Sequence, residues 1–387
     1  MKKEAVDIIM LSDFNRDAGG TETWLYNFLS ELLKDNEIQQ VRLFGYKDSI
    51  KDFDISASSF TGENNKSAEK KLVPIVLMGK PSRFPMALSM YRKLRNHKVK
   101  EEMYPTITLA IGVFPLIMML FIKRFKKTQK IVWLRSIFIH EKAYTVPKFL
   151  RKILLQIEIY LLRKVDKIIC NGDDIKEFYE KHNLQIHVIK NGIKINKWEL
   201  PPLVINEPIH VVYIGRLSQV KGIESYLALA EKIKKGEKQS NFIFHVVGDE
   251  GVYKERVEVL AKENVIINHG VISNQKLPNF LKKIDVCAAL TFASENGGGG
   301  GTSNAMLEQM AASRIMLAWD NIIFRQYLNN ENAYLAKQYS INDLQKRLFE
   351  ILENKEVAIS KSIKAKESIN GYTYAKNVEY FKKVANI

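Results

Sequence analysis

The chain has 387 residues, 46% of them apolar and 26% charged, which is the make-up of a soluble globular protein too long for one hydrophobic core, so two domains are expected. Cys170 and Cys287 lie far apart in apolar runs and read as small buried hydrophobes in a reducing, cytoplasmic compartment, not as a disulfide or a metal pair. The net charge of +16 is unevenly placed: residues 51–150 hold 19 Lys and Arg against 7 Asp and Glu, whereas residues 201–387 hold 24 against 20.

The first apolar run, in MKKEAVDIIMLSDF, is interrupted by Asp7 and has no small-residue cleavage site after it. It reads as a β-strand, not a signal peptide. The pair Gly19-Gly20 then precedes a helix whose Trp24, Leu25, Phe28, Leu29, Leu32 and Leu33 share a face. Basic clusters follow at residues 91–100 (YRKLRNHKVK) and 121–130 (FIKRFKKTQK). A solvated face, an anionic lipid surface and a diphosphate-bearing acceptor all fit them; nucleic acid has neither motif nor interleaved aromatics in its favour. Residues 105–122 are almost wholly apolar and about as long as a bilayer span. Gly112 and Pro115 split them, which predicts a strand at 107–111, a turn and an amphipathic helix at 116–125, with a transmembrane helix as the alternative.

Pro201, Pro202 and Pro208 interrupt the pattern between residues 196 and 208 and mark a domain boundary. Beyond it, β-branched runs alternate with helical stretches: VVYIG, FIFHVVG, VIINHG, DVCAAL and IMLAW each lead through a loop into a helix. The pattern predicts an α/β fold with a doubly wound parallel sheet, whose ligands sit at the C-terminal ends of the strands. The tail from Tyr372 carries a helical stripe of Tyr374, Val378, Phe381 and Val384.

Two loops carry candidate chemistry. In GRLSQVKG, Gly215 ends a strand and Arg216 and Lys221 follow, two cations beside a helix N-terminus and therefore an anion site, or else two solvent-facing charges. In SENGGGGGTSNAMLEQMAA, five glycines end at Thr302, Ser303 and Asn304, good N-cap types, and Glu308 lies one turn into the helix behind them. Glycines let backbone N–H groups close on a ligand, the helix N-terminus favours negative charge, and Glu308 can accept from paired hydroxyls such as those of a ribose.

Taken in order, the Gly19-Gly20 pair, VDKIICNG, IKNGIKINKW, YIGRLSQVKG, VVGDEG, INHGVISNQKLPNFLKKIDV and the glycine loop leading to Glu308 resemble the family 4 glycosyltransferases over nearly the whole chain. The resemblance implies a GT-B fold, two Rossmann-like doubly wound parallel-sheet domains facing across a cleft. It implies an acceptor-binding domain at 1–200, completed by a C-terminal helix at 372–387, and a nucleotide-sugar-binding domain at 208–371. By the same resemblance Arg216 and Lys221 hold the donor diphosphate and Glu308 the ribose. Gly19, Gly20, Gly215, Gly248, Gly300, Gly301, Thr302, Ser303 and Asn304 line the donor, and Val271 and Ile272 face the base. No metal or other cofactor is implied; Asp52-Phe53-Asp54 resembles the metal motif of another transferase class without its context.

Three positions depart from the family pattern. A Glu expected eight residues before Glu308 is Gly300, and Glu295 is the candidate to replace it. A His expected after the strand in KIVWLRS is Arg135, with His140 five residues later; both are placed on the acceptor side. Asp320-Asn321 stands where a Gly-Gly turn is usual. The expected reaction moves a sugar from a nucleotide-sugar to an acceptor hydroxyl with retention of configuration, the acceptor being a lipid-linked glycan of bacterial surface polysaccharide and the enzyme peripheral to the membrane. An inactive GT-B partner subunit and a sugar-nucleotide epimerase are the competing readings.

Overall fold

The computed structural model describes residues 4–10, 20–46, 72–78, 92, 95, 105–141, 146–293 and 303–387. The chain forms two compact units, Met1–Gly192 with Tyr374–Ile387, and Ile193–Thr373.

The first unit is built on seven parallel strands in the order β3-β2-β1-β4-β5-β6-β7. In chain order its elements are β1 (Glu4–Ile9), α1 (Gly20–Leu32), β2 (Ile38–Tyr46), β3 (Leu72–Met78), β4 (Ile107–Ile111), α2 (Val113–Phe121), β5 (Gln129–Leu134), α3 (Phe138–Glu141), α4 (Lys148–Leu162), β6 (Lys167–Cys170), α5 (Asp173–Glu180) and β7 (Ile186–Val188). The strands are largely apolar, β4 (ITLAI) most completely, as suits a parallel sheet buried on both faces. Asp7, which breaks the apolar pattern of β1, lies opposite Arg42 in the register of β2, and Arg42 Nε donates to its Oδ1 at 2.5 Å with both residues buried.

No helix among the described residues is long and apolar enough to cross a membrane. The apolar run at 105–122 becomes β4 and α2, with Gly112 turning between them at φ +89°. The helix expected at 116–125 instead spans Val113–Phe121; the backbone is extended at Ile122 and a short 3-10 turn, Lys123–Lys127, follows. The shift places Ile122 and Phe125 in the core and leaves Phe121 exposed.

The second unit holds β8 (Ile209–Ile214), α6 (Ile223–Lys234), β9 (Phe242–Val247), α7 (Lys254–Lys262), β10 (Ile267–Asn268), α8 (Leu277–Leu281), β11 (Val286–Ala289), α9 (Asn304–Ala311), β12 (Ile315–Asp320), α10 (Ile322–Arg325), β13 (Tyr334–Lys337), α11 (Ile341–Glu353) and α12 (Lys355–Ser368). Its six strands are parallel in the order β10-β9-β8-β11-β12-β13. This is the doubly wound order of a dinucleotide-binding sheet, and it reverses direction between β8 and β11.

The division between the units falls earlier than the prolines at 201–208 suggested. Ile193, Trp198, Leu203 and Ile205 are buried in the core of the second unit, and Arg314 Nη2 donates to the Pro201 carbonyl at 3.3 Å. The proline segment is therefore packed onto the second unit, not a linker. After α12 the chain returns to the first unit as α13 (Tyr374–Ala385), which packs on α1. Phe381 sets its ring edge on Phe28 at 5.6 Å, and Asn377 Nδ2 donates to the Lys190 carbonyl at 2.8 Å.

Three imidazoles cross adjacent strands of the second sheet: His210 Nδ1 lies 2.8 Å from His245 Nε2, and His245 Nδ1 lies 2.9 Å from His269 Nε2. Burial, with the neighbouring His210 and His269, holds the His245 ring down at about 4, and the ladder ties the segment after β10 to the sheet.

Candidate functional site

The switch point between β8 and β11 is where a doubly wound sheet presents ligands to helix N-termini. Both strands end there and both are followed by loops that start helices, α6 and α9. The loop after β8 carries Arg216 and Lys221. Arg216 is exposed, and its backbone is fixed from beneath: the buried Tyr213 hydroxyl donates to its carbonyl at 2.6 Å. Lys221 closes a 3-10 turn, Gln219–Lys221, that leads through Gly222 into α6.

Gly222 has φ +77°, and a Cβ there would come within 2.0 Å of the Leu290 carbonyl oxygen in the loop after β11. Phe292 N–H donates to the Val220 carbonyl at 3.0 Å, so the two loops are joined by backbone contact. Gly248, at φ +147°, allows a similar approach between the loop after β9 and Gly215, whose carbonyl oxygen would lie 2.1 Å from an added Cβ. These glycines let three strand ends stack closely.

Ser303 takes the N-cap position of α9, Asn304 begins the helix, and Glu308 lies on its second turn, buried. Asn274 Nδ2 donates to Glu308 Oε1 at 2.8 Å, and Lys197 Nζ donates to Asn274 Oδ1. Lys197 comes from the turn before β8 and stands 4.9 Å from the ring of Trp198. Burial pushes the Glu308 carboxyl up to about 7, against the Asn274 hydrogen bond and the Lys197 charge, which pull it down. Asn274 belongs to the same loop as Val271, which is exposed, and Ile272, which is half-buried. Arg216 and Lys221 thus lie on the loop after β8, and Ser303, Asn304 and Glu308 on the helix that follows β11, the two strands that flank the switch point, while Asn274 joins the loop of Val271 and Ile272 to Glu308. Tyr213, Asn274 and Lys197 lie within YIGRLSQVKG, INHGVISNQKLPNFLKKIDV and IKNGIKINKW, but nothing in those motifs singles them out.

Glu308 held near 7 has a stability consequence. Between the usual carboxylate range and about 7 the folded chain keeps a proton that the unfolded chain loses, so this group lowers stability as pH rises through that window. Glu308→Gln removes the effect. The variant is expected to melt at or above the wild-type temperature at about pH 8, with the advantage gone below about pH 5. Thermal unfolding at the two pH values checks this; a variant less stable at the higher pH contradicts it.

Asn321 replaces the usual Gly-Gly turn with a working cap. Its Oδ1 accepts from the N–H groups of Ile323 and Phe324, and its Nδ2 donates to the Thr291 carbonyl at 3.0 Å. In the first unit, Gly20 opens α1, the Arg135 guanidinium lies 4.1 Å over the Trp24 ring, and the buried His140 packs on Phe178 at 4.9 Å. Gly19, Glu295, Gly300, Gly301 and Thr302 lie outside the described residues. Among those described, no group of His, Cys, Asp or Glu has the arrangement of a metal site.

Fold and switch-point site together define a GT-B glycosyltransferase. The model for glycosyltransferase family 4 matches residues 18–197 and that for glycosyl transferases group 1 matches residues 197–368. The chain belongs to the family 4 glycosyltransferases. It is 26% identical over 237 residues to the uncharacterized glycosyltransferase MJ1178 of Methanocaldococcus jannaschii, a match covering 58% of this chain and 60% of that protein. Sucrose-phosphate synthase of Thermosynechococcus elongatus superposes with a TM-score of 0.77 at 15% identity, over 99% of this chain and 98% of that one. HepE of Anabaena, solved with UDP-glucose, superposes with a TM-score of 0.73 at 13% identity over 99% of each chain.

Proposed function

We propose that the second unit binds a nucleotide-sugar and that the chain transfers the sugar, with retention of configuration, to a lipid-linked glycan in the assembly of surface polysaccharide. The observation that supports the donor reading is the strand order, which makes β8, followed by Arg216, Lys221 and α6, the neighbour of β11, followed by α9 and Glu308, at the switch point of the sheet. The diphosphate lies against the two cations and the two helix ends, and the ribose hydroxyls donate to Glu308. The base lies along Val271 and Ile272. UDP-glucose bound to HepE supports a donor of this class.

As the glycosidic bond to the diphosphate breaks, the acceptor oxygen attacks the anomeric carbon from the same face and its proton passes to the departing diphosphate oxygen. The protein contributes positioning and fixed positive charge. No metal enters this scheme, since Arg216 and Lys221 meet the charge on the leaving group. Transfer is therefore expected to keep its full rate in excess EDTA; loss of activity restored by Mg²⁺ or Mn²⁺ would overturn that part. Isothermal titration with UDP, GDP and dTDP tests the site itself. Glu308→Gln is expected to weaken whichever nucleotide binds by about tenfold or more, since a carboxylate that accepts two hydroxyls is lost. Unchanged binding of all three would remove Glu308 from the site.

A further inference from the structure

Helix α4 is apolar on both sides. Ile159, Leu161 and Leu162 face the core, and Glu158, its one acidic residue, is buried and accepts from the Tyr179 hydroxyl. On the other side Phe149, Ile153, Ile157 and Tyr160 recur at spacings of four, four and three and form a single stripe, each between 49% and 65% exposed. Leu150 widens the stripe at 40% exposure. A helix that covers a core needs one apolar face; a second, open to solvent, needs an occupant.

The charge around the stripe says which. Lys148 and Lys152 are exposed near the helix start, and Arg163 and Lys164 are exposed just past its end, with Lys164 Nζ 4.8 Å from the Tyr160 ring. No carboxylate on α4 faces solvent. Beside it packs α2, with Phe121 64% exposed and the exposed Lys126 and Lys127 beyond. Bulky aliphatic and aromatic side chains bordered by Lys148, Lys152, Arg163 and Lys164, with Asp166 the nearest exposed carboxylate past the helix end, match the boundary between headgroups and acyl chains of an anionic bilayer, where the stripe enters and the cations meet phosphates.

We infer that α4 is an in-plane membrane anchor, with Phe149, Ile153, Ile157 and Tyr160 inserted into an anionic leaflet. The inference rests on the membrane-borne acceptor proposed above and names the surface that brings the enzyme to it.

The test is flotation of the full chain with phosphatidylglycerol-rich vesicles and with vesicles of phosphatidylcholine alone, at low and high salt. Wild type is expected to float with the anionic vesicles and to be released by salt. Lys148→Gln with Lys152→Gln should lower the partition about thirtyfold. Ile153→Gln with Ile157→Gln should abolish flotation while melting and donor hydrolysis stay as in wild type. Ile157→Trp should show a blue-shifted emission quenched by brominated lipid. Flotation unchanged by the Gln variants would overturn the anchor even if lipid-linked acceptor is still glycosylated. So would a stripe that instead mediates self-association, seen as a concentration-dependent dimer that Ile153→Gln with Ile157→Gln dissolves. Conversely, α4-dependent flotation without transfer to any lipid-linked acceptor would sink the acceptor reading and leave the anchor standing.

Discussion

Arg216→Ala and Lys221→Ala are each expected to lower kcat/KM for sugar transfer by about a hundredfold to a thousandfold, with no loss of thermal stability. The reacting bond places growing negative charge on the departing diphosphate, and a cation fixed beside it is worth more in that state than in the ground state. Arg216 is suited to the task by the way it is held. Its side chain is exposed, while the Tyr213 hydroxyl pins its carbonyl and the neighbouring Leu217 N–H donates to the Glu250 carbonyl at 2.6 Å. The loop is rigid and its cation is presented from it, so truncation removes charge without opening the fold. Arg216→Lys should recover only part of the loss, because a guanidinium contacts a phosphate through two parallel N–H groups and an ammonium does not. Tyr213→Phe, which frees the Arg216 carbonyl, should give a smaller loss of the same kind. Near-wild-type transfer by either alanine variant would place the diphosphate elsewhere.

Much of this arrangement is legible in the sequence, for a reason that also explains what is missing. Parallel strands covered on both faces must be short apolar runs, and each must be followed by a loop and a helix, so VVYIG, FIFHVVG and DVCAAL announce their own positions. Arg216, Lys221 and Glu308 can be singled out as candidates because they stand at fixed offsets from those runs. Asn274 and Lys197 cannot: the bonds Lys197–Asn274 and Asn274–Glu308 cross 77 and 34 residues and depend on which strand lies beside which. The prolines at 201, 202 and 208 mislead because proline stops regular structure without saying whether the segment is free or packed; Trp198, Leu203 and Ile205, around them, are buried. Ile122 and Phe125 stand within the basic cluster at 121–130, and the end of α2 at Phe121 turns them into the core. The outer stripe of α4 is invisible for the opposite reason, since a helix apolar on both faces reads simply as core.

Asp7 illustrates how one residue can mean more in the structure than in the sequence, where it serves only to argue against a signal peptide. It is fully buried in β1, and its partner Arg42 on β2 is 3% exposed. Two charges taken out of water cost several kcal/mol each, and the pair persists because each neutralises the other. Removing one partner takes from the other buried charge the ion pair it makes between β1 and β2, so Arg42→Ala and Asp7→Ala are each expected to destabilise the first unit by about 3–5 kcal/mol. The second unit has its own core, from Ile193 to Ile369, and should keep its transition. Calorimetry is therefore expected to show one transition moved down and one nearly in place. Replacing both charges at once, Asp7→Leu with Arg42→Met, should recover most of the lost stability, since well-packed apolar residues can substitute for a buried pair. The functional effect should follow the first unit alone: nucleotide binding to the second unit is retained in Arg42→Ala, while transfer to acceptor falls at temperatures where the first unit is melted. A single variant within about 1 kcal/mol of wild type would mean that the remaining charge finds another partner or water, and that the pair does not hold β1 to β2.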